Sequence, residues 1–209
     1  MPVHIYGHPV DMDPLWELAA RHGLKIIEDA ACAAGAEYRG VPAGGLGDGG
    51  CFSFHPRKSI TTGEGGMVTT NDQTIAAAIT QRKAFGYDHA LGQRAKPGIY
   101  DVTVLGYNYR MNEIAAAIGL SQLEKLDAFQ AARARNHGTL RAALADLEEV
   151  TVFAPEKGKA VSSHYCLNAI LPRDGAIQRD DVVAALQEQG IGTSVHYPRP
   201  VPLMAYYRE

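Results

Sequence analysis

The sequence predicts an α/β fold with a parallel sheet, followed by a smaller α+β module. Three observations predict it. A strand, a helix and a second strand follow one another at the start of the chain, further apolar runs follow a glycine-rich stretch, and strand patterns begin again after a long helix. Strands that alternate with helices form parallel sheets, which carry ligands at the carboxyl ends of their strands. We therefore expect the chemistry of this protein at strand ends.

The first segment has the signals of a strand–helix–strand unit. Residues 3–6 form a predicted short strand, and the helix after it has a first-turn proline at Pro14 and its predicted end at Gly23. The apolar run 24–27 predicts the second strand, bounded on its carboxyl side by an acidic pair that ends with Asp29. Asp29 is therefore expected at the carboxyl end of a parallel strand.

The middle of the chain alternates strand patterns with a loop that carries a lysine. Strands are predicted at 51–54 and 67–70, a helix at 75–85 and a surface excursion at 87–107. Lys58 lies in the loop between the two strands, a segment rich in glycine and threonine. The middle segment therefore extends the predicted sheet and brings Lys58 near its strand ends.

A long helix separates this part from the second module. Apolar residues recur at helical spacing from residue 112, and the pattern continues to about residue 147. Strand-like runs at 151–153 and 165–171, a helix at 179–189 and an extended segment at 193–197 follow it. We interpret these as a distinct α+β module, with the long helix as the hinge.

Composition and charge exclude several classes of protein. The chain has 209 residues, 46% of them hydrophobic and 21% charged, which is enough apolar material for a core without a disulfide or metal. A net charge of −3 gives no electrostatic basis for binding nucleic acid or a membrane surface. Three widely spaced cysteines without a C-x-x-C motif support neither a disulfide framework nor a zinc site. With neither a signal peptide nor a long apolar stretch, we expect a cytoplasmic protein with no metal.

One constellation carries specific chemistry: Asp29, Ser53 and Lys58. A loop lysine is most simply a solvated charge. Beside a carboxylate and a hydroxyl at neighbouring strand ends, however, it matches what pyridoxal phosphate requires. That cofactor takes a lysine on its aldehyde, a carboxylate on its ring nitrogen and small donors on its phosphate.

Four stretches of the sequence resemble the DegT/DnrJ/StrS family of sugar aminotransferases. They are IIEDAA at 26–31, FSFHPRK with TTGEGGM within 52–67, GYNYRMNE at 106–113 and GIGTSVHY at 190–197. The stretches occur in the family's order and span nearly the whole chain. Together they are far more specific than any one of them.

The resemblance implies a fold and an activity. The fold is that of type I pyridoxal-phosphate-dependent transferases, which are aspartate-aminotransferase-like. Residues 1–126 would form the carboxyl-terminal part of the large domain, with an incomplete, mainly parallel mixed sheet. Residues 127–209 would form a small α+β domain, incomplete at its end. The implied activity moves an amino group, usually from glutamate, to a keto group on a nucleotide-linked sugar, in amino-sugar and polysaccharide biosynthesis.

The resemblance also assigns roles to single residues. Lys58 matches the family lysine that binds the cofactor covalently and moves the substrate proton, and Asp29 matches the carboxylate that keeps the ring nitrogen protonated. Ser53 matches a hydroxyl on the phosphate. Asn108 matches an amide that reaches the cofactor of a neighbouring subunit, which implies a homodimer with shared active sites. His196 lies where the small domain approaches the substrate.

Two departures from the family pattern leave alternatives open. Cys32 occupies a cofactor-contacting position that usually holds Gln or His, so this thiol either changes the setting of the cofactor or merely fills the space. The family's large domain also begins well before the residues that match Met1, which predicts a piece of a longer aminotransferase. The alternatives are a catalytically incompetent fragment and a pyridoxal-dependent sugar dehydratase or regulator. Lys58 disfavours the dehydratase, because some family members with that activity carry histidine there.

Overall fold

The computed structural model describes residues 1–88, 96, 98–175 and 177–208. Its helices are α1 Asp13–His22, α2 Gln73–Arg82, α3 Glu113–Leu123, α4 Leu126–Ala143 and α5 Arg179–Glu188. Its strands are β1 Ile27–Asp29, β2 Glu37–Tyr38, β3 Val41–Pro42, β4 Gly49–Ser53, β5 Gly66–Thr69, β6 Thr151–Val152, β7 Glu156–Lys157, β8 Ala160–Val161 and β9 Ala169–Ile170. Part of the predicted excursion at 87–107, residues 89–95 and 97, lies outside the described residues.

The helices begin and end where capping chemistry directs them. α1 has Pro14 in its first turn, and it ends because Gly23 takes a left-handed conformation with φ 61° and donates its N–H to the Ala19 carbonyl. The Asp72 carboxylate accepts backbone N–H groups at the start of α2, and the Asn112 side chain does so for α3. In the described part of the chain, no helix is both long and apolar enough to cross a membrane.

The central sheet has the strand order β1-β4-β5 and mixed polarity. β1 pairs in parallel with β4, with Asp29 opposite Cys51, and β4 pairs in antiparallel with β5. This parallel pair agrees with the predicted parallel sheet, whereas the predicted strand–helix–strand unit is represented by the parallel bridge of Val3 to Asp29. Asp29 and Ser53 are therefore the last residues of two neighbouring parallel strands, at the same edge of the sheet.

A second, antiparallel sheet joins distant parts of the chain. Its order is β3-β2-β8-β7, so β8 lies against β2, far earlier in the sequence.

The chain separates into two compact units. The first unit holds Met1–Ala142 with Phe153–Leu167, and the second unit holds Ala143–Val152 with Asn168–Glu209, where β6 pairs with β9. The predicted boundary between large and small domains at residue 126 stays a prediction.

Several predicted elements differ in the structure, among them the strand predicted at 24–27, which is β1 at Ile27–Asp29. The strand predicted at 3–6 is wrong: Ile5–Gly7 is a 3-10 helix, and only Val3 bridges to Asp29, in parallel. The long helix predicted from 112 to 147 is divided into α3 and α4. The strand predicted at 165–171 is reduced to β9, because the segment up to residue 167 packs in the first unit.

The core of the first unit lies between α1, β1 and the chain from residue 30 to 46. Its buried apolar side chains are Met12, Ile26, Ala30, Ala33, Ala36, Tyr38, Ala43, Leu46 and Ala160. Trp16 packs against this cluster from α1, and its indole N–H donates to the Leu46 carbonyl at 2.8 Å. Burial of this apolar surface fixes β1, and with it the position of the sheet edge that ends at Asp29.

Candidate active site

Lys58 lies in a loop that follows β4 and closes on itself. The Phe54 N–H donates to the Gly65 carbonyl at 2.9 Å, and the Phe54 carbonyl accepts the Thr62 N–H at 3.0 Å. The Thr61 hydroxyl donates to the same carbonyl at 2.8 Å. Because both ends of the loop are bonded across the Phe54 backbone, the turn that carries Lys58 is held beside the end of β4.

The half-buried side chain of Lys58 has two close partners. Its Nζ donates to Sγ of Cys32 at 3.2 Å and lies 5.2 Å from the centroid of the Tyr165 ring. None of the carboxylates in the described ranges forms an ion pair with it. A thiol and a ring face are weak partners compared with a carboxylate, so the amine is positioned without being locked in a salt bridge.

Asp29 and Ser53 lie at the neighbouring strand ends, and each has a local hydrogen bond. The Ala31 N–H donates to Oδ1 of Asp29 at 3.1 Å, and the His55 N–H donates to Oγ of Ser53 at 3.4 Å. Both side chains are half-buried. The structure thus brings a carboxylate, a hydroxyl and the Lys58 loop to one sheet edge, as the sequence predicted.

Asn108 lies on an exposed segment of the first unit. Its Oδ1 accepts Nε–H of Arg110 at 3.1 Å, and the rings of Tyr107 and Tyr109 stack on each other with centroids 5.0 Å apart. His196 belongs to the second unit, where its Nε2 lies 3.0 Å from the Ser194 hydroxyl oxygen. The functional roles of Asn108 and His196 stay predictions.

Tyr165 is a site residue that sequence reasoning missed, because its segment was predicted to be a strand of the second module. The Ser163 hydroxyl donates to the Cys32 carbonyl at 2.8 Å, across 131 residues of sequence, and so ties this segment to the site. Burial, reinforced by the neighbouring Cys32, raises the pKa of the Tyr165 phenol. The phenol therefore stays protonated at neutral pH. No motif in the sequence marks this tyrosine.

Glu28, the residue before Asp29 in β1, is the centre of a buried hydrogen-bond cluster. One carboxylate oxygen accepts Nε2–H of His4 at 2.9 Å and the Gly44 N–H at 2.7 Å. The other accepts the N–H groups of Leu46 and Gly47, each at 2.7 Å. These bonds hold the residue before Asp29 in place.

The protonation of this cluster follows from its bonds. The Val10 N–H donates to Nδ1 of His4 at 3.2 Å, so the imidazole is neutral and carries its proton on Nε2. Burial opposes ionisation of Glu28, but the bonds from His4 and the three backbone amides outweigh it and lower the pKa of the carboxyl. The cluster is thus a carboxylate held by four donors.

The donor set at the sheet edge fits pyridoxal phosphate. The amine of Lys58 suits the aldehyde, the carboxylate of Asp29 suits the ring nitrogen, and the hydroxyl of Ser53 suits the phosphate. Cys32 adds only a weak hydrogen-bonding group. Among the described residues, no group of three or more His, Cys, Asp or Glu side chains is arranged to hold a metal ion.

Comparison with known proteins agrees with this chemistry. The profile of the DegT/DnrJ/EryC1/StrS aminotransferase family matches residues 1–209. GDP-perosamine synthase of Caulobacter vibrioides (strain ATCC 19089 / CIP 103742 / CB 15) is 51% identical over 192 residues, which are 91% of this chain and 50% of that protein. The chain therefore spans about half the length of this curated relative.

Solved structures show the same relationship. PseC of Helicobacter pylori, an aminotransferase involved in the biosynthesis of pseudoaminic acid, superposes with a TM-score of 0.88 at 29% identity, over 98% of this chain and 53% of PseC. DesV of S. venezuelae superposes with a TM-score of 0.86 at 34% identity, over 98% of this chain and 52% of DesV. These matches confirm a partial type I transferase fold. The chain belongs to the DegT/DnrJ/EryC1/StrS aminotransferase family, as its motifs predicted.

Proposed function

We propose that this protein is a pyridoxal-phosphate-dependent aminotransferase that moves an amino group from glutamate to the keto group of a nucleotide-linked sugar, in the cytoplasm. The observation that carries the proposal is the amine of Lys58. It lies beside the strand ends that hold Asp29 and Ser53, and its contacts among the described residues are the weak partners Cys32 and Tyr165. Membership of an aminotransferase family supports the same reaction.

The proposed roles of the side chains follow from their chemistry. Pyridoxal phosphate supplies an electron sink for the carbon from which a proton is removed. Lys58 would hold the cofactor and then take and return that proton at Nζ. Asp29 would pair with the ring nitrogen, and Ser53 would donate to the phosphate. Cys32 would lie beside the cofactor without forming a strong hydrogen bond to it.

A GDP-linked keto-sugar is the first substrate to test. The relative that is 51% identical is named a GDP-perosamine synthase, and this chain matches it over 91% of its own length. His196, whose Nε2 lies 3.0 Å from the Ser194 hydroxyl oxygen, is proposed as a substrate-binding residue.

We also propose a homodimer in which Asn108 completes the partner's phosphate site. Asn108 lies on an exposed segment between two exposed tyrosines, which are common at protein interfaces. The Arg110 side chain orients the amide by donating to its oxygen. The amide nitrogen is then directed away from that bond and could donate to a phosphate.

Covalent trapping tests the site. The purified chain is mixed with pyridoxal phosphate, reduced with borohydride and digested, and the peptides are mapped by mass spectrometry. We expect an adduct at Lys58 that is lost in Lys58→Ala and kept in Lys25→Ala, which removes an exposed lysine paired with Asp48. A folded chain without an adduct at Lys58 would contradict a competent site and favour the incompetent fragment.

A product assay separates the two enzyme reactions. With a GDP-linked keto-sugar and glutamate, we expect an amino sugar and 2-oxoglutarate in equal amounts. A deoxygenated sugar formed with equal amounts of 2-oxoglutarate and free ammonium, and with no amino sugar, would instead establish the dehydratase, because glutamate must then supply the two electrons for the loss of the hydroxyl.

A further inference from the structure

We infer that Tyr165 is a positioning residue for Lys58: the face of its ring holds the Lys58 ammonium group at the sheet edge. The inference rests on the proposed function, since it concerns how the lysine of that site is set in place. It adds a residue from a distant part of the chain to a site otherwise built by the segment from Asp29 to Lys58.

The geometry of the contact is that of a cation–π interaction. Nζ of Lys58 lies 5.2 Å from the ring centroid, within the distance of about 6 Å at which ring quadrupoles attract cations. The same nitrogen donates to Sγ of Cys32 at 3.2 Å. Two neighbours limit the rotamers of this long side chain more than either would alone.

The backbone of Tyr165 is fixed independently of Lys58. Nη1–H of Arg133, on α4, donates to the Tyr165 carbonyl at 3.1 Å. The Ser163 N–H donates to the Gly7 carbonyl at 2.9 Å, and the Ser163 hydroxyl donates to the Cys32 carbonyl. The ring is thus presented by a segment that is anchored to three other parts of the first unit.

The charge state of the ring suits a positioning role. Burial, followed by the neighbouring Cys32, raises the pKa of the phenol, so the ring is uncharged at neutral pH. The contact is therefore between a cation and a ring face. A cation–π contact is weak enough for the amine to leave it and reach a carbonyl carbon, whereas a buried carboxylate would hold it more tightly.

Reductive methylation of Lys58 tests the inference without any cofactor. The chain is treated with formaldehyde and cyanoborohydride, and the methylation rates of Lys58 and Lys25 are measured by mass spectrometry. Tyr165→Phe keeps the ring face, whereas Tyr165→Leu keeps an apolar side chain and removes the face. We expect the Lys58 rate, relative to that of Lys25, to rise about threefold to tenfold in Tyr165→Leu. In Tyr165→Phe we expect it to stay within about twofold of the original chain.

Rates in both variants that match the original chain would overturn the inference, because the ring face would then have no role. Rates raised equally in Tyr165→Phe and Tyr165→Leu would assign the effect to the hydroxyl, and this too would overturn it. If Tyr165→Leu loses its folded circular-dichroism spectrum, Tyr165→Met takes its place as the variant without a ring.

The two proposals fail separately. An adduct at Lys58 together with methylation that ignores the ring would leave the proposed function standing and remove the inference. Ring-dependent methylation without an adduct at Lys58 would support the positioning role of Tyr165 and contradict the proposed function.

Discussion

At the scale of single residues, Glu28 organises the region behind the site. Its fully buried carboxylate accepts four hydrogen bonds, from His4 near the start of the chain and from the Gly44, Leu46 and Gly47 amides before β4. Neither segment could bury its donors without this acceptor, since an unpaired buried polar group is costly. One side chain therefore joins the amino-terminal turn, β1 and the loop that leads to β4.

The hydrogen-bonded carboxylate of Glu28 is expected to make the free energy of unfolding depend on pH. The pKa of its carboxyl is lowered in the folded state. Its contribution to stability is therefore complete above the ordinary glutamate pKa of about 4.3 and is lost as the pH falls through the lowered value. We expect Glu28→Gln to lower the free energy of unfolding by about 3 kcal/mol at pH 7 and to weaken the acid dependence. Urea unfolding between pH 7 and pH 3 measures both.

Glu37→Gln is the matched control, because Glu37 is exposed on β2. It is expected to change the free energy of unfolding by no more than about 0.5 kcal/mol. An acid dependence in Glu28→Gln as steep as that of the original chain would contradict the prediction.

Replacement of Cys32 by glutamine is expected to change the affinity for pyridoxal phosphate. A thiol is a weak hydrogen-bonding group, whereas an amide can donate and accept. We expect Cys32→Gln to bind pyridoxal phosphate about fivefold more tightly, which corresponds to one added neutral hydrogen bond. Cys32→Ala should stay within about twofold of the original chain. Absorbance titration with the cofactor measures the affinity, and weaker binding by Cys32→Gln would show that this position has room only for a small side chain.

At the scale of elements, the segment that carries Tyr165 is docked through Gly7. This glycine has φ 81°, and a Cβ there would lie 2.0 Å from the Ser163 hydroxyl oxygen and 2.8 Å from the Cys32 carbonyl oxygen. The space is filled by the two chain segments that meet at the site. Glycine is therefore required both for its backbone conformation and for the close approach.

Gly7→Ala is expected to be far more damaging than a glycine substitution without neighbours. Gly23 also has a positive φ, of 61°, but a Cβ there would meet nothing within 4 Å. Gly23→Ala should therefore cost about 1 kcal/mol from backbone strain, and Gly7→Ala at least about 2 kcal/mol more, since Ser163 must move. Thermal or urea unfolding compares the two variants. Equal losses of unfolding free energy in the two variants would show that the Ser163 segment moves aside at little cost.

At the scale of the whole molecule, α3 exposes apolar side chains on more than one face. Ile114 is 76% exposed and Leu120 is 68% exposed, and Ile118 and Leu123 are also exposed. The exposed aromatic residues Tyr107 and Tyr109 lie shortly before the helix. A helix that is apolar on several faces is normally covered. The proposed homodimer would cover part of this surface.

The exposed face of α3 predicts self-association. We expect light scattering after gel filtration to give the mass of a dimer, and Ile114→Glu combined with Ile118→Glu to give the monomer, because two buried charges oppose association. Leu18→Glu, on the exposed side of α1, is the control and should leave the mass unchanged. A monomeric original chain, or a dimer that persists in the double variant, would contradict this interface.

Much of the local structure was predictable because it depends on short-range chemistry. Pro14 and Gly23 mark the ends of α1, and α5 lies within the predicted range 179–189. The strand ends that carry Asp29 and Ser53, and the loop that carries Lys58, were predictable because parallel strands present their carboxyl ends at one edge. The family followed from motifs in that same region.

What the sequence alone determined is therefore the chemistry of the site: an amine, a carboxylate and a hydroxyl placed by local patterns. What only the tertiary structure decided is the environment of that chemistry. The ring of Tyr165 over Lys58, the anchoring of Ser163 on Cys32 and the bonds that join Glu28 to His4 and the loop before β4 connect segments far apart in the sequence. No local period or motif encodes such contacts, because they form only when burial of the core brings those segments together.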